Sequence, residues 1–196
     1  MPQASPNPKT LIKGKRVVLR PPVKSDAAEF IAVNRRSAEF NSGLASPPTT
    51  AKQFEAFMKR NARPDGVCFL ICRLADGPIM GSIALSQIFH GGFQSAYLGY
   101  QIGEEFAGQG YMTEALQLML RYAFVKLKLH RVEANIQPGN IPSIALVKRA
   151  GFTREGYSQR YLKICGRWRD HERWAILVED WRKSSRAKAE SRKENP

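Results

Sequence analysis

Apolar residues recur along this chain at two periods. Between residues 109 and 128, Met112, Ala115, Leu116, Met119, Leu120, Ala123, Phe124 and Leu127 keep to one face of a 3.6-residue repeat. That predicts a long amphipathic helix with its methionines in the core. In 130–137, Val132, Ala134 and Ile136 alternate with polar positions, as in a half-buried strand. Segment 16–20 reads as a first strand, stopped by Pro21-Pro22. A meander follows over 67–74, 79–89 and 94–102, broken at Ala75-Asp76-Gly77-Pro78 and at His90-Gly91-Gly92. A last hairpin, 153–164 with 167–178, turns at Cys165-Gly166. One helix begins at Ser25-Asp26, with Phe30, Ile31 and Val33 apolar. After a loop at Ser46-Pro47-Pro48, a second opens on a capping box, Thr50 with Gln53, and ends before Pro64. A short one starts after Pro138-Gly139-Asn140 and stops at Gly151. The order is strand, two helices, three-strand meander, helix, strand, helix, hairpin. It is mixed α/β, neither doubly wound nor all-β.

The 196 residues suit one domain with a sizeable core. Residues 1–10 are rich in proline and polar groups and are expected to be disordered. The folded domain is expected at 11–181 and a mobile basic tail at 182–196. The longest apolar run, 67–72, is far too short to span a bilayer, and residues 1–8 lack an apolar signal core. Cys68, Cys72 and Cys165 make neither an even disulfide set nor a close-set metal pair. Cys68 and Cys72 read as reduced core thiols of a cytoplasmic protein, with no metal and no membrane partner. The charge is less ordinary: 31 Lys and Arg against 17 Asp and Glu, a net +14. Such an excess speaks to partners rather than fold, and an RNA-rich or acidic partner accounts for it.

The chemistry centres on Gly108-Gln109-Gly110-Tyr111-Met112-Thr113-Glu114-Ala115, between a strand and the long helix. The first turn of a helix has N–H groups without intrahelical partners, and its dipole favours negative charge. Glycines admit a ligand close to that backbone, so the turn reads as a diphosphate cradle, with an ordinary strand-to-helix turn as its alternative. It lacks the Lys-Ser/Thr of a P-loop and the third glycine of a dinucleotide fingerprint. A second block, Asn140-Ile141-Pro142-Ser143 through Gly151-Phe152, follows about 25 residues later. In order and spacing the two resemble the GCN5-related N-acetyltransferase (GNAT) superfamily, over residues 11–181. Gly156-Tyr157, Tyr161-Leu162, Gly166-Arg167-Trp168-Arg169-Asp170-His171 and Glu179-Asp180-Trp181 resemble the RimJ/RimL branch, which acetylates N-termini of ribosomal proteins. Tyr97-Leu98-Gly99-Tyr100 is similar to its RimJ side.

The resemblance implies a mostly antiparallel sheet flanked by helices and splayed between the strands ending near Ile102 and starting near Arg131. Acetyl-CoA is the implied cosubstrate. Gln101, Ile102 and Gly103 would offer backbone groups to pantetheine. Ala107, Gly108, Gln109, Gly110, Tyr111 and Met112 would hold the diphosphate, although Ala107 and Met112 depart from the family's usual residues. Val147 stands where many relatives place a tyrosine that protonates the leaving thiolate. Ser143 is the best remaining donor, with a helix-capping role as its alternative; Tyr157 and Tyr161 are other donors. Asn140 would bind pantetheine or order a water. Tyr97 stands where several relatives carry a glutamate base. Glu133 is the candidate base on its strand, with Glu105 and Asp170 as rivals, and a water chain suffices for an α-amine. His90, His130 and His171 sit in unlike contexts and receive no role. Trp168 and Trp174 either fill the core of the hairpin or border a peptide groove.

The implied acceptor is the N-terminal alanine of a ribosomal protein, with ribosomal RNA contact through the basic surface and tail. The enzyme is expected as a monomer or homodimer. Two other readings keep the fold: an acetyltransferase of a small-molecule amine, and a ribosome-binding assembly factor.

Overall fold

The computed structural model describes residues 11–75 and 77–190, so the expected disorder of residues 1–10 lies outside the described residues. Eight strands form one sheet: β1 (Ile12–Lys13), β2 (Val17–Arg20), β3 (Val67–Arg73), β4 (Ile79–Phe89), β5 (Ser95–Ile102), β6 (Arg131–Ile136), β7 (Thr153–Ile164) and β8 (Arg167–Leu177). Their spatial order is β1-β2-β3-β4-β5-β6-β8-β7. The helices are α1 (Ala27–Arg36), α2 (Ala51–Asn61), α3 (Tyr111–Arg121), α4 (Ile141–Ala150) and α5 (Val178–Glu190).

Every neighbouring pair is antiparallel except β5 and β6. Their parallel pairing is brief: Ser95, Ala96 and Tyr97 face Arg131, Val132 and Glu133. β5 continues to Ile102 and β6 to Ile136 without pairing to each other, so the strands part. The crossover between them is α3, led by the glycine turn.

Alternation along the strands sorts side chains to two faces. Val17, Leu19, Phe69, Leu98, Val132 and Ala134 pack with α3 and α4 in the main core. Cys68, Leu70, Cys72 and Ile79 pack on the other face with Phe30 of α1 and with Phe54 and Phe57 of α2. Ala115, Leu116, Met119 and Leu120 of α3 are wholly buried, as the 3.6-residue period requires. Burying a Leu or Met side chain stabilises by about 1.5–3 kcal/mol, so this stripe is what fastens α3 to the sheet. Burial holds the Cys68 thiol protonated, pushed up to about 12. Gly81 is needed for close approach: a Cβ there would lie 2.2 Å from the Gln101 carbonyl oxygen.

Local signals account for most ends. Thr50 accepts from Gln53 N at 3.3 Å and Gln53 Oε1 from Thr50 N at 3.1 Å, closing the capping box. Gly151, at φ +96°, ends α4. Three features differ from expectation. Regular α-helix stops at Arg121, and Tyr122–Lys126 forms a π turn, closed by Leu127 N on Tyr122 O at 3.1 Å. Its ring contact is Tyr122 edge-on to Phe69. Val178, read as the end of a strand, starts α5, which runs through the first nine residues of the expected free tail. Trp181 anchors it on Phe124, with ring centroids 5.3 Å apart. Residues 37–44 form consecutive turns that no periodic signal marked.

Glu114, in the first turn of α3, straps the sheet edge to the glycine turn. Its carboxylate accepts from the backbone N–H groups of Lys15 and Arg16, the latter at 2.9 Å. Glu114→Ala is expected to lower stability by about 1–2 kcal/mol in urea titrations, the scale of charge-assisted hydrogen bonds near the surface. An unchanged midpoint would show that the strap is energetically idle.

Candidate active site

The glycine turn is held by its own backbone. Ala107 N donates to Glu104 O at 3.0 Å, and Gly108 and Gly110 take φ of +72° and +82°. Those values cost a non-glycine residue about 1–2 kcal/mol. The first bond of α3 runs from Glu114 N to Gly110 O at 3.2 Å, so the amides of Tyr111, Met112 and Thr113 precede it. A Cβ on Gly108 would meet nothing within 4 Å, whereas one on Gly110 would lie 2.9 Å from Arg16 Nη2. The outer side of the turn is already occupied. Arg16 donates to Gln109 O at 3.0 Å and lies over the Tyr111 ring at 4.8 Å. The Gln109 side chain turns back to Glu105 O at 2.7 Å.

The inner side opens on a cleft of about 750 Å³, within the range of small-molecule sites. Gln101, Ile102, Ala107, Gly108, Gly110 and Met112 line it, with Asn140, Ser143 and Arg149 from the α4 side. Phe40, Asn41 and Leu44 of the unanticipated turns complete the wall. Among the described residues no carboxylate lines this cleft, and the one charged group is the Arg149 guanidinium.

Most of the expected residues converge here, and three placements correct the sequence reading. Gly103 has both backbone groups engaged: its N–H donates to Met80 O at 2.7 Å and its carbonyl accepts from Phe106 N at 3.0 Å. Its N–H is therefore not available to pantetheine. Glu133 lines neither this cleft nor the second one described below. Arg131 Nε holds its carboxylate at 2.8 Å and also binds Glu155, so the candidate base is part of an ion-pair network. The side chains of Gln109 and Tyr111 belong to the turn's outer side, which leaves their backbone amides as what they can offer the diphosphate. Among the rivals, Glu105 pairs with Arg36 at 2.7 Å. Asp170 accepts from Tyr157 Oη at 2.5 Å and from Arg160 N at 2.7 Å, which holds it below the usual carboxylate range.

Asn140 is the cap of α4: its Oδ1 accepts from Ser143 N at 3.2 Å. The helix is capped by Asn140 rather than by the Ser143 hydroxyl, and Ser143 lines the cleft. Val147 is wholly buried in the core. Tyr100, which received no role from the sequence, sends its hydroxyl to within 3.5 Å of the Ser143 carbonyl oxygen. Gln101, one residue on, reaches the opposite face, where its Nε2 donates to Asn34 Oδ1 of α1 at 3.1 Å. Its Oε1 is buried without a protein partner.

A second cleft of about 460 Å³ lies on the α1–α2 face, bordered by Ser46, Pro48, Arg60, Arg63, Asp65 and Ser82. It meets the first at Ala45, Tyr100 and Gln101. The loop between them is held from the hairpin side. Ser46 Oγ and Cys165 Sγ are 3.3 Å apart, and Gln137 Nε2 donates to Gly43 O at 2.7 Å. Trp174 is buried beside α4, whereas Trp168 stands 60% exposed near the hairpin tip.

Residues 16–153 match the acetyltransferase (GNAT) domain. The chain belongs to the GNAT family. It is 33% identical over 178 residues to the probable N-acetyltransferase YjcK of Bacillus subtilis, covering 87% of this chain and 98% of that protein. It is 43% identical over 103 residues to the [ribosomal protein uS5]-alanine N-acetyltransferase of Escherichia coli, a match spanning 53% of each chain. Among solved structures it resembles Mycobacterium smegmatis RimJ in complex with CoA-disulfide, with 30% identity, a TM-score of 0.77, and coverage of 83% and 82%.

This GNAT protein is thus an acetyl-CoA-dependent N-acetyltransferase. Its cleft suits that cosubstrate. Free helix N-terminal amides and the open space at Gly108 would take the diphosphate, and Arg149 adds a cation to a wall without carboxylates. Among the described residues no group of three His, Cys, Asp or Glu could hold a metal, and no helix is long and apolar enough to cross a membrane. Gly108→Asn tests the cradle, because Asn tolerates positive φ and its side chain would fill the open space. Calorimetry should show acetyl-CoA affinity falling at least about tenfold (roughly 1.4 kcal/mol) while the melting curve changes little. Wild-type affinity would place the diphosphate elsewhere.

Proposed function

We propose that this enzyme acetylates the N-terminal α-amine of a protein, with an alanine-started ribosomal protein as its acceptor in the cytoplasm. One observation carries the choice of amine: neither cleft has a free carboxylate. The cosubstrate cleft has none, and the only one bordering the second cleft, Asp65, is held by Arg63 at 3.1 Å. A polyamine needs carboxylates to balance its charges, and a high-pKa amine needs a base to release its proton. At pH 7.4 about a fifth of an α-amine of pKa ~8 is neutral, against about one in a thousand of an ε-amine of pKa ~10.4. The α-amine reacts without an enzymic base, with solvent taking its proton. The match to the uS5-alanine enzyme and to RimJ supports the ribosomal acceptor, as does the net charge of +14.

In this reading the acceptor lies in the second cleft and reaches the thioester where the two clefts meet. The backbone of Gln101 and Ile102 lines pantetheine, and Asn140 fixes the start of α4. The Ser143 hydroxyl donates a hydrogen bond to the departing thiolate. Ser143→Ala should lower kcat about 10- to 100-fold, the worth of one hydrogen bond to a charged group, with acetyl-CoA affinity unchanged. Wild-type kcat at saturation would remove Ser143 from the chemistry.

The acceptor is tested by competition. Purified enzyme with acetyl-CoA is offered an alanine-started ribosomal-protein peptide, the same peptide with a blocked N-terminus and an internal lysine, and spermidine. Turnover of the free α-amine alone is expected. Preferential turnover of spermidine would transfer the assignment to small amines.

A further inference from the structure

We infer that Tyr100 is a catalytic residue whose phenol gives the departing thiolate of coenzyme A its proton, from β5 rather than from α4. The inference rests on acetyl transfer from a thioester, the family's activity, and not on which amine accepts it.

Placement comes first. Tyr100 lies three residues beyond the last β5–β6 pair, Tyr97 with Glu133, on the stretch where the strands have parted. It borders both clefts, and so stands where any acetyl group passing between them must go. Its ring packs against the main core, which aims the hydroxyl toward the start of α4. The contact to the Ser143 carbonyl, at 3.5 Å, is at the outer limit of a hydrogen bond, so the proton is only loosely engaged.

Acidity comes second. Among the described residues lining the two clefts Tyr100 is the one phenol; Ser46, Ser82, Ser86, Thr113 and Ser143 offer aliphatic hydroxyls, and Val147 offers none. A phenol ionises near ~10 and a thiol near ~8.5, so the transfer is uphill by only about 2 kcal/mol before burial adds to it. An aliphatic hydroxyl is a far weaker acid, suited to a hydrogen bond and not to losing its proton. Burial raises the phenol above its ordinary value, and the Ser143 contact offsets this only in part. Tyr100 therefore stays protonated at neutral pH. The other titratable groups along the clefts are Arg149 on the α4 side and Arg60, Arg63, Asp65 and Cys68 on the α2 side.

The step balances. The amine nitrogen bonds to the thioester carbon and the carbonyl pair moves to oxygen. As the carbonyl re-forms, the C–S bond breaks and its electron pair stays on sulfur. Sulfur takes the Tyr100 proton, and the phenolate regains one, through solvent, from the nitrogen that has been acylated.

Tyr100→Phe should lower kcat about 10²- to 10⁴-fold, the span of a positioned acid, with the acetyl-CoA Kd within about threefold and the melting midpoint unchanged. Wild-type kcat would overturn the assignment. A second enzyme carries a ring-fluorinated tyrosine at position 100, which keeps the shape and makes the phenol more acidic. The alkaline limb of its kcat profile should move to lower pH, whereas in Ser143→Ala that limb should stay in place. A limb that ignores fluorination would reduce Tyr100 to packing even if Tyr100→Phe is slow or unstable. All profiles use whichever amine turns over fastest, so an error about the acceptor leaves this test standing.

Discussion

The constraint on which this molecule depends is the short parallel pairing of β5 with β6. Three residue pairs hold the strands together, and beyond them each stays paired only to its other neighbour, β4 or β8. A sheet that parts in its middle exposes backbone donors and acceptors that would otherwise be paired, and such groups require partners. An extended ligand arm with amide groups of its own is a suitable partner. The crossover between the strands then delivers the N-terminus of α3 to the mouth of the same gap. Hydrogen-bonding backbone and anion-binding backbone thus come from one topological feature, and side chains need only refine it. This explains why Ala107 and Met112 can replace the family's more usual residues in the turn without disturbing its geometry.

Keeping the gap open takes fastening on both sides. At its closed end, Arg131 binds Glu133 on its own strand and Glu155 on β7, tying β6 to β7 across β8. Glu133 is therefore a fastener, its carboxylate engaged by the Arg131 guanidinium. Near the open end, the turns at 37–44 and the loop after them are held by Gln137 and by the Ser46–Cys165 contact. The hairpin thereby influences both clefts without any of its charged groups entering them.

What was legible in the sequence follows from period and from backbone demand. The stripe on α3, the alternation in β6 and the capping box at Thr50 are local patterns, and each produced the expected element. The glycines of the turn were legible as leaving the backbone open to close approach, and Gly108 and Gly110 both take positive φ. What escaped were features set by tertiary contact. Nothing local marks the turns at 37–44 as a cleft wall. The basic segment from Arg182 looked like a mobile tail, yet up to Glu190 it continues the helix that Trp181 anchors on Phe124. Gly103 looked available until the fold placed the Met80 carbonyl against its N–H.

Tyr100 escaped for a more instructive reason. On β5 its alternation with Leu98 assigns it to the core face, and a tyrosine on a core face reads as packing. Only the parting of the strands turns that core position into a cleft position halfway along its own strand. The same parting sends Tyr100 toward α4 and its neighbour Gln101 toward α1, so adjacent residues serve opposite clefts. A search that looks for the acid where relatives carry it, on α4, finds Val147 and stops. The physical requirement is a weakly held acidic hydroxyl at the junction of the two clefts, and that requirement does not specify which strand or helix supplies it.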